Sequence, residues 1–323
     1  MMRILIYLNS SIEPFTGTSM KGQLKAYLDL TRLHFFFVWP TLFCAGLFLA
    51  FQLYGGFSLL LVLKAVLIGF FGFDAGLILN DIVDANIDKR DLPSDNRLTK
   101  YWRPFGERPV PHGLISRRQA TVLFAVFVAI TTTLIFTLSF PQSLYVFSIM
   151  IICYCLEVFY QIKKRNEKVP IAQVIGRVDF ALFLVAGYLC IGNPDWTVLI
   201  LFLFFYPLAL AHLGVNDLID AENDKARGMN TIPTLYGMKA TTYWILGFSV
   251  FHFVMAGVFL FWLGSFLVVA GFMVSLVILT LGNVLILKKK SIDAGLKALP
   301  LFHVAMLIYA ITIIVNYVVP MFF

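Results

Sequence analysis

The stretch Asn80-Asp81-Ile82-Val83-Asp84-Ala85-Asn86-Ile87-Asp88-Lys89 decides how this chain is read, because it occurs again as Asn216-Asp217-Leu218-Ile219-Asp220-Ala221-Glu222-Asn223-Asp224-Lys225. Asn, Asp, Asp, Ala, Asp and Lys stand at the same offsets in both copies, and each copy follows directly on a long apolar run. On an α-helix, residues four apart lie one turn above each other. Asn80, Asp84 and Asp88 therefore form one stripe, with Asp81 beside it. Asn216, Asp220 and Asp224 form the matching stripe, with Asp217 beside it. Like charges at this spacing weaken an isolated helix by about 0.2–0.5 kcal/mol per pair, so a positive partner is expected. Carboxylate and amide oxygens are hard donors suited to Mg²⁺, which commonly takes one or two carboxylates plus substrate phosphates. Two facing stripes are expected to hold two Mg²⁺ ions with a diphosphate between them. The plainer alternative is a pair of solvated acidic helix ends.

The composition around the motifs is that of a membrane protein. Of 323 residues, 60% are hydrophobic and 33 are Phe, and the mean hydropathy is +0.86. That excludes a soluble globular domain and indicates a polytopic, all-α membrane protein. The net charge of +7 is not a nucleic-acid footprint, because Lys and Arg are confined to short loops between apolar spans; the expected surroundings are membrane lipid. Cys44, Cys153, Cys155 and Cys190 fall in apolar runs and read as small buried residues rather than disulfides or metal ligands. Met1 to Lys25 is a mixed lead-in, expected to be interfacial or partly disordered. It lacks the ordered basic, apolar and small-residue series of a cleavable signal peptide.

Nine apolar runs of membrane length follow: Leu33 to Leu53, Leu59 to Asn80, Ala120 to Leu138, Leu144 to Gln161, Ile171 to Ile191, Val198 to Val215, Tyr243 to Leu263, Phe266 to Leu287 and Leu299 to Val319. Lys and Arg concentrate in alternate loops, among them Lys163-Lys164-Arg165 and Lys288-Lys289-Lys290, while Tyr54-Gly55-Gly56 and Ser139-Phe140-Pro141-Gln142 carry none. The positive-inside rule then predicts a cytoplasmic N-terminus, both acidic motifs at the cytoplasmic end, and a C-terminus on the far side. The motifs follow the second and sixth runs. An offset of four helices predicts two four-helix pseudo-repeats plus one helix around a central cavity. The organisation is thus a lead-in over residues 1–32 and one transmembrane domain over 33–323.

Other polar residues lie at membrane depth. Gly72 and Gly76 continue the Asn80 stripe and permit close helix approach or leave room for a ligand. Asp74 is an intramembrane carboxylate, either functional or paired with a base such as Arg177. Asp179 either stays near the interface or lines the cavity, and Lys64 is expected to snorkel outward. His212, one turn before Asn216, reads as a hydrogen-bonded neighbour rather than a catalyst.

With these residues set out, the chain resembles the UbiA superfamily of intramembrane prenyltransferases over nearly its full length. Asn80, Asp84 and Asp88 are similar to the family's first motif, and Asp220, Asp224, Lys225 and Gly228 to its second. Thr231-Ile232-Pro233-Thr234-Leu235-Tyr236-Gly237 resembles the stretch after the second motif, and Arg108-Pro109-Val110-Pro111-His112-Gly113 the Arg-Pro-x-Pro-x-Gly segment before the third helix. Arg32 matches the basic residue that opens the first helix. Tyr160 and Lys163 are similar to a tyrosine and a lysine between the fourth and fifth helices. The chain departs from the family's pattern in the inserted Leu92-Pro93-Ser94-Asp95-Asn96 and Trp102-Arg103-Pro104, and in Arg177 and Asp179.

The resemblance implies nine helices around a cavity and Mg²⁺-dependent transfer of a polyprenyl group from its diphosphate to an aromatic or polar lipid-precursor acceptor. It makes Asp84, Asp88, Asp220 and Asp224 the expected catalytic metal ligands, with Asn80 and Asn216 orienting and Asp81 and Asp217 as ligands or supports. Arg32, Lys89, Arg108, Lys163 and Lys225 are the expected diphosphate contacts. A terpene cyclase would share the fold. Another phospho-lipid transferase of the CDP-alcohol type resembles Asp-Gly-x-x-Ala-Arg, which the chain lacks. A cation transporter predicts carboxylates near the bilayer midplane, whereas these lie at the ends of apolar runs.

Overall fold

The structure is a computed structural model that describes residues 19–92, 95–263 and 265–319; residues 1–18 of the lead-in and Pro93 and Ser94 of the insertion lie outside the described residues. Its helices are α1 (Met20–Leu30), α2 (Val38–Tyr54), α3 (Leu59–Asp84), a short α4 (Arg97–Trp102), α5 (Arg117–Phe136), α6 (Gln142–Lys163), α7 (Val178–Tyr188), α8 (Trp196–Arg227), α9 (Ile232–Leu263), α10 (Phe266–Lys289) and α11 (Ile292–Val318). No strand occurs among the described residues. Among the described residues, eight helices are long and apolar enough to cross a membrane: α2 with the turn before it, α3, α5, α6, α8, α9, α10 and α11. The chain is an integral, multi-pass membrane protein.

The fifth apolar run differs from the expected single helix. It is a π-helical turn, Ala172–Gly176, then a break at Arg177, then the 11-residue α7. Gly176 lies against α6, where an added Cβ would come 2.6 Å from the Cβ of Tyr160. The widened turn lets Arg177 fold back over the Tyr160 ring, 3.3 Å from its centroid. π-Turns concentrate at functional sites, and apolar composition alone does not show one.

Local sequence sets the other ends. Ser58 caps α3 by accepting from Leu61 N, and Ser116 with Gln119 forms a capping box on α5. Gly228, at φ +73°, takes the left-handed conformation that ends α8 immediately after the second motif.

The buried centre is α2, which packs on α3, α7 and α11; α8 packs on α7, α9 and α11, and α3 on α5 and α6. Gly46 and Gly187 bring α2 and α7 into backbone contact, since a Cβ on either would collide with a carbonyl of the facing helix. Between membrane helices such small residues replace the hydrophobic drive that lipid removes. Apolar residues such as Val122, Val126, Val254 and Val277 point outward, as a lipid-facing surface requires.

The C-terminal ends of α3, α6 and α8 meet at one end of the bundle, under a cap of loops. Asp29 of α1 accepts from Phe105 N (2.7 Å) and Glu107 N (2.9 Å). Asn223 accepts from Leu92 N (3.0 Å) and donates to Asp95 O (2.9 Å). The loop that follows the first motif is thereby seated on the helix that carries the second. Of the lead-in, which was expected to be interfacial or partly disordered, Met20–Leu30 is helix.

Candidate active site

Beneath that cap lies a cavity of about 220 Å³, lined by both motifs: Asn80, Asp84 and Asp88 from one side, Asn216, Asp217, Asp220 and Asp224 from the other. The second motif is α-helical throughout. The first leaves regular helix at Asp84, but Ala85 and Ile87 keep right-handed helical dihedrals and Ile87 N donates to Asp84 O (2.8 Å). Asp88 therefore still comes round to the cavity.

Arginine and lysine neutralise these carboxylates in the structure. Asp84 pairs with Lys164 (2.9 Å) and Arg165 (2.8 Å), and Asp88 with Arg108 (2.6 Å). Arg227 joins the two motifs: it lies 3.5 Å from Asp88, 2.8 Å from Asp220 and 3.3 Å from Asp224, and it also pairs with Asp91. Thr231 donates to Asp224 (2.8 Å). Burial acts to raise the Asp88 carboxyl, but Arg108, Arg227, Lys164 and Arg103 outweigh it and hold that group below the usual carboxylate range. Burial likewise opposes the Lys164 charge, yet Asp84 beside it leaves its pKa raised.

Of the expected diphosphate contacts, Arg32 and Arg108 line the cavity. Lys89 and Lys225 are exposed and Lys163 is half-buried, and none of the three lines it. Lys164 and Arg227 stand there instead. The signal for Lys164 was helical phase: it lies seven residues, two turns, after Glu157 and so returns to the cavity face, whereas Lys163 is turned about 100° from it. Arg227 lies seven residues, two turns, after Asp220. Asp81 differs from its counterpart Asp217. It sits behind the lining, 1% exposed, held by two contacts to Arg103 (2.8 and 2.9 Å) and by Arg32 (3.2 Å). Arg32 reaches it from a left-handed turn at φ +47°. Asp217 does line the cavity, and its Oδ2 is buried without a partner. Arg103 belongs to the Trp102-Arg103-Pro104 stretch, where a departure from the family's pattern was expected.

Deeper in the cavity, Arg177 pairs with Glu157 (2.6 Å), which also accepts from Asn80 (2.8 Å) and Gln161. Arg177 therefore does not pair with Asp74, whose Oδ2 is buried without a partner. Asp179 lines the cavity, 3.8 Å from Arg177. The remaining wall is aromatic: Trp39 stacks on Phe73 (3.7 Å between centroids), with Phe180 and Phe183 against Phe73. A second void of about 40 Å³, lined by Ile68, Ile135, Val146, Ile149 and Met150, shares Gly72, Cys153, Tyr154 and Phe183 with the first. An ionic chamber thus adjoins a small apolar void, with Gly72, Cys153, Tyr154 and Phe183 common to both walls. All four cysteines are free thiols, with Cys153 on that shared wall and Cys155 exposed.

The donor set fits Mg²⁺ in kind: carboxylates and carboxamides from two helices face one space, and Asp217 Oδ2 has no other partner. Among the described residues, no three acidic, His or Cys side chains already converge at metal distance; Asp84, Asp88, Asp220 and Asp224 are paired with basic side chains instead. The lining charges nearly cancel. Asp84, Asp88, Glu157, Asp179, Asp217, Asp220 and Asp224 face Arg32, Arg103, Arg108, Lys164, Arg177 and Arg227, seven against six. A polyanion entering such a space needs added positive charge.

Known proteins agree with this geometry. The UbiA prenyltransferase family matches over residues 37–315. A digeranylgeranylglyceryl phosphate synthase of Methanothermobacter thermautotrophicus is 29% identical over 184 residues, 55% of this chain and 57% of that one. A 4-hydroxybenzoate octaprenyltransferase of Yersinia enterocolitica is 26% identical over 229 residues, 69% of this chain and 72% of that one. The matched stretch thus spans little more than half of the first relative. Three solved structures share the fold. A digeranylgeranylglyceryl phosphate synthase superposes with a TM-score of 0.63 at 22% identity, over 92% of this chain and 99% of that one. A UbiA homologue from Aeropyrum pernix K1 gives 0.68 at 18%, over 90% and 98%. One from Archaeoglobus fulgidus, bound to DMAPP and Mg²⁺, gives 0.59 at 16%, over 90% and 99%. The motifs, the helical cavity and the family match coincide, and the chain belongs to the UbiA prenyltransferase family.

Proposed function

We propose that this protein transfers a polyprenyl group from a polyprenyl diphosphate to an aromatic or polar lipid-precursor acceptor within the membrane, in a Mg²⁺-dependent reaction. The observation that carries this is the convergence of both Asn/Asp motifs on one cavity whose remaining wall is aromatic and apolar. The relatives named above support the class of reaction, and the Archaeoglobus structure supports Mg²⁺ and a prenyl diphosphate as its occupants.

Asp84, Asp88, Asp220 and Asp224 would hold the metal, with Asn80, Asn216 and Asp217 completing or orienting the set. Bound Mg²⁺ supplies neutralisation of the charge that gathers on the departing diphosphate. Lys164, Arg227, Arg108 and Arg32 exchange carboxylate for phosphate as it enters, lysine as a point charge and arginine through its fork. Asp81 anchors Arg32 and Arg103 from behind. The rings of Trp39, Phe73, Phe180 and Phe183 exclude water from the allylic cation and offer it their π faces.

The concentration of Lys and Arg in alternate loops supports a cytoplasmic motif end, with the N-terminus on the same side. The course of the chain supports a ninth crossing. The C-terminal ends of α6 and α8 both reach the motif end, so the segment from Lys164 to Trp196 crosses the bundle even though α7 is short.

The test is diphosphate release from purified protein with Mg²⁺ and geranylgeranyl diphosphate, with and without 4-hydroxybenzoate or a glyceryl-phosphate lipid. Release that needs both Mg²⁺ and one acceptor is expected. Lys164→Met is expected to raise KM for the prenyl diphosphate about tenfold or more, as loss of a charge-assisted contact implies, with Lys163→Met near wild type. Acceptor-independent release would replace transfer with cyclisation. No release by folded protein across chain lengths would overturn the proposal.

A further inference from the structure

A chain of three hydrogen-bonded side chains runs from the cavity wall to the cap. His212 of α8 lines the cavity, and its Nε2 lies 2.7 Å from Nε2 of His303 on α11. His303 Nδ1 lies 2.5 Å from the hydroxyl of Tyr101 on α4. Both imidazoles are buried, 1% and 5% exposed, and Trp102 packs edge-on against each. The remaining nitrogen, His212 Nδ1, is buried without a hydrogen-bond partner.

Among the described residues, two that line the cavity carry a buried acceptor atom without a partner: Asp217, at Oδ2, and His212, at Nδ1. Asp217 belongs with the acidic motif. The other lining carboxylates are committed to cations or amides: Glu157 alone accepts from Asn80, Gln161 and Arg177. Resting on the prenyl-transfer reading above, we infer that His212 is the base that removes the acceptor's proton, and that His303 and Tyr101 position it and share the charge.

In the resting polarity His212 Nε2–H donates to His303 Nε2, and His303 Nδ1–H donates to the Tyr101 oxygen. His212 Nδ1 then carries a free lone pair. As the acceptor atom bonds to the allylic carbon, the carbon–oxygen bond to diphosphate breaks and its electron pair leaves with the diphosphate. The acceptor's proton passes to His212 Nδ1, and the electrons of that bond stay with the product. The proton on Nε2 moves to His303, where Tyr101 accepts from the resulting imidazolium. The proton returns along the same bond and departs on the diphosphate. An alkylated hydroxyl or arene is a strong acid, so a neutral imidazole is base enough.

The experiment uses the full-length protein with Mg²⁺, geranylgeranyl diphosphate, and either 4-hydroxybenzoate or geranylgeranylglyceryl phosphate. His212→Gln keeps a side chain able to donate to His303. It is expected to lower kcat by about 10²–10⁴-fold, with equilibrium binding of geranylgeranyl diphosphate within about threefold of wild type. His303→Gln and Tyr101→Phe are expected to lower kcat by about tenfold without raising KM. His212→Ala is expected to regain turnover with added imidazole, which a structural role would not produce. A His212→Gln enzyme within threefold of wild type, a loss that follows lost diphosphate binding, or a His212→Ala enzyme deaf to imidazole would each overturn the inference. Wild-type protein that releases no diphosphate would instead remove the prenyl-transfer reading on which it rests.

Discussion

Asp84→Asn and Asp220→Asn are each expected to slow diphosphate release by about 10²–10³-fold, the scale of removing one preorganised charge-stabilising group. Each carboxylate faces the cavity from its own motif, and each is held by side chains able to turn to a phosphate: Lys164 for Asp84, Arg227 for Asp220. Asparagine keeps the shape and one acceptor oxygen but removes the charge, so fold should survive while metal affinity falls. Folding is checked by thermal unfolding in detergent, and metal affinity by the Mg²⁺ concentration at half-maximal rate. Asp81→Asn is the contrast. It stands outside the cavity and compensates the buried Arg103, so its loss is expected in stability first. Equal rates for wild type and both cavity variants would separate the motifs from the chemistry.

Arg177→Leu is expected to destabilise the protein by about 3–5 kcal/mol, because it strips the partner from a buried charge. The side chains of Arg177 and Glu157 are 8% and 9% exposed and 2.6 Å apart. Without the guanidinium, Glu157 and Asp179 face one small space with no cation between them, and Tyr160 loses the group stacked on its ring. Adding Glu157→Gln to Arg177→Leu should recover part of the loss, since both charges of the pair are then gone. A double-mutant cycle from equilibrium unfolding in mixed micelles measures this, with a coupling of about 0.5–3 kcal/mol expected. Strict additivity would mean that the pair is not coupled. The cluster also bears on the site, because Glu157 holds the Asn80 carboxamide that opens the first motif.

The acidic stripes were legible because four-residue spacing on a helix is a local property, fixed once the flanking runs are read as membrane spans. Asn80, Asp84 and Asp88 do face Asn216, Asp220 and Asp224 across one cavity. The identity of their resting partners was not legible. Arg108, Lys164 and Arg227 reach Asp88, Asp84 and Asp220 through tertiary packing, and sequence spacing carries no such distance. Lys163 and Lys164 show how fine the distinction is, since one residue is 100° of helix. Asp81 and Asp217 occupy equal positions in the repeat, yet Arg103, from the segment that follows the first copy, pairs with Asp81 behind the wall. The break within the fifth apolar run was not legible for a related reason. Its apolar composition is continuous, but the close seat of Gly176 on Tyr160 widens the helix into a π-turn and aims Arg177 inward.

The central claim is that the two motifs jointly hold a metal-bound diphosphate. It is tested most directly by diffraction from crystals of the protein grown with Mn²⁺ and a non-reacting prenyl thiodiphosphate, with anomalous data collected at the manganese edge. The account predicts manganese peaks within ligand distance of Asp84 or Asp88 and of Asp220 or Asp224, with the diphosphate between them and its tail against the wall formed by Gly72 and Tyr154. Manganese bound at only one motif, or a diphosphate seated away from both, would contradict it.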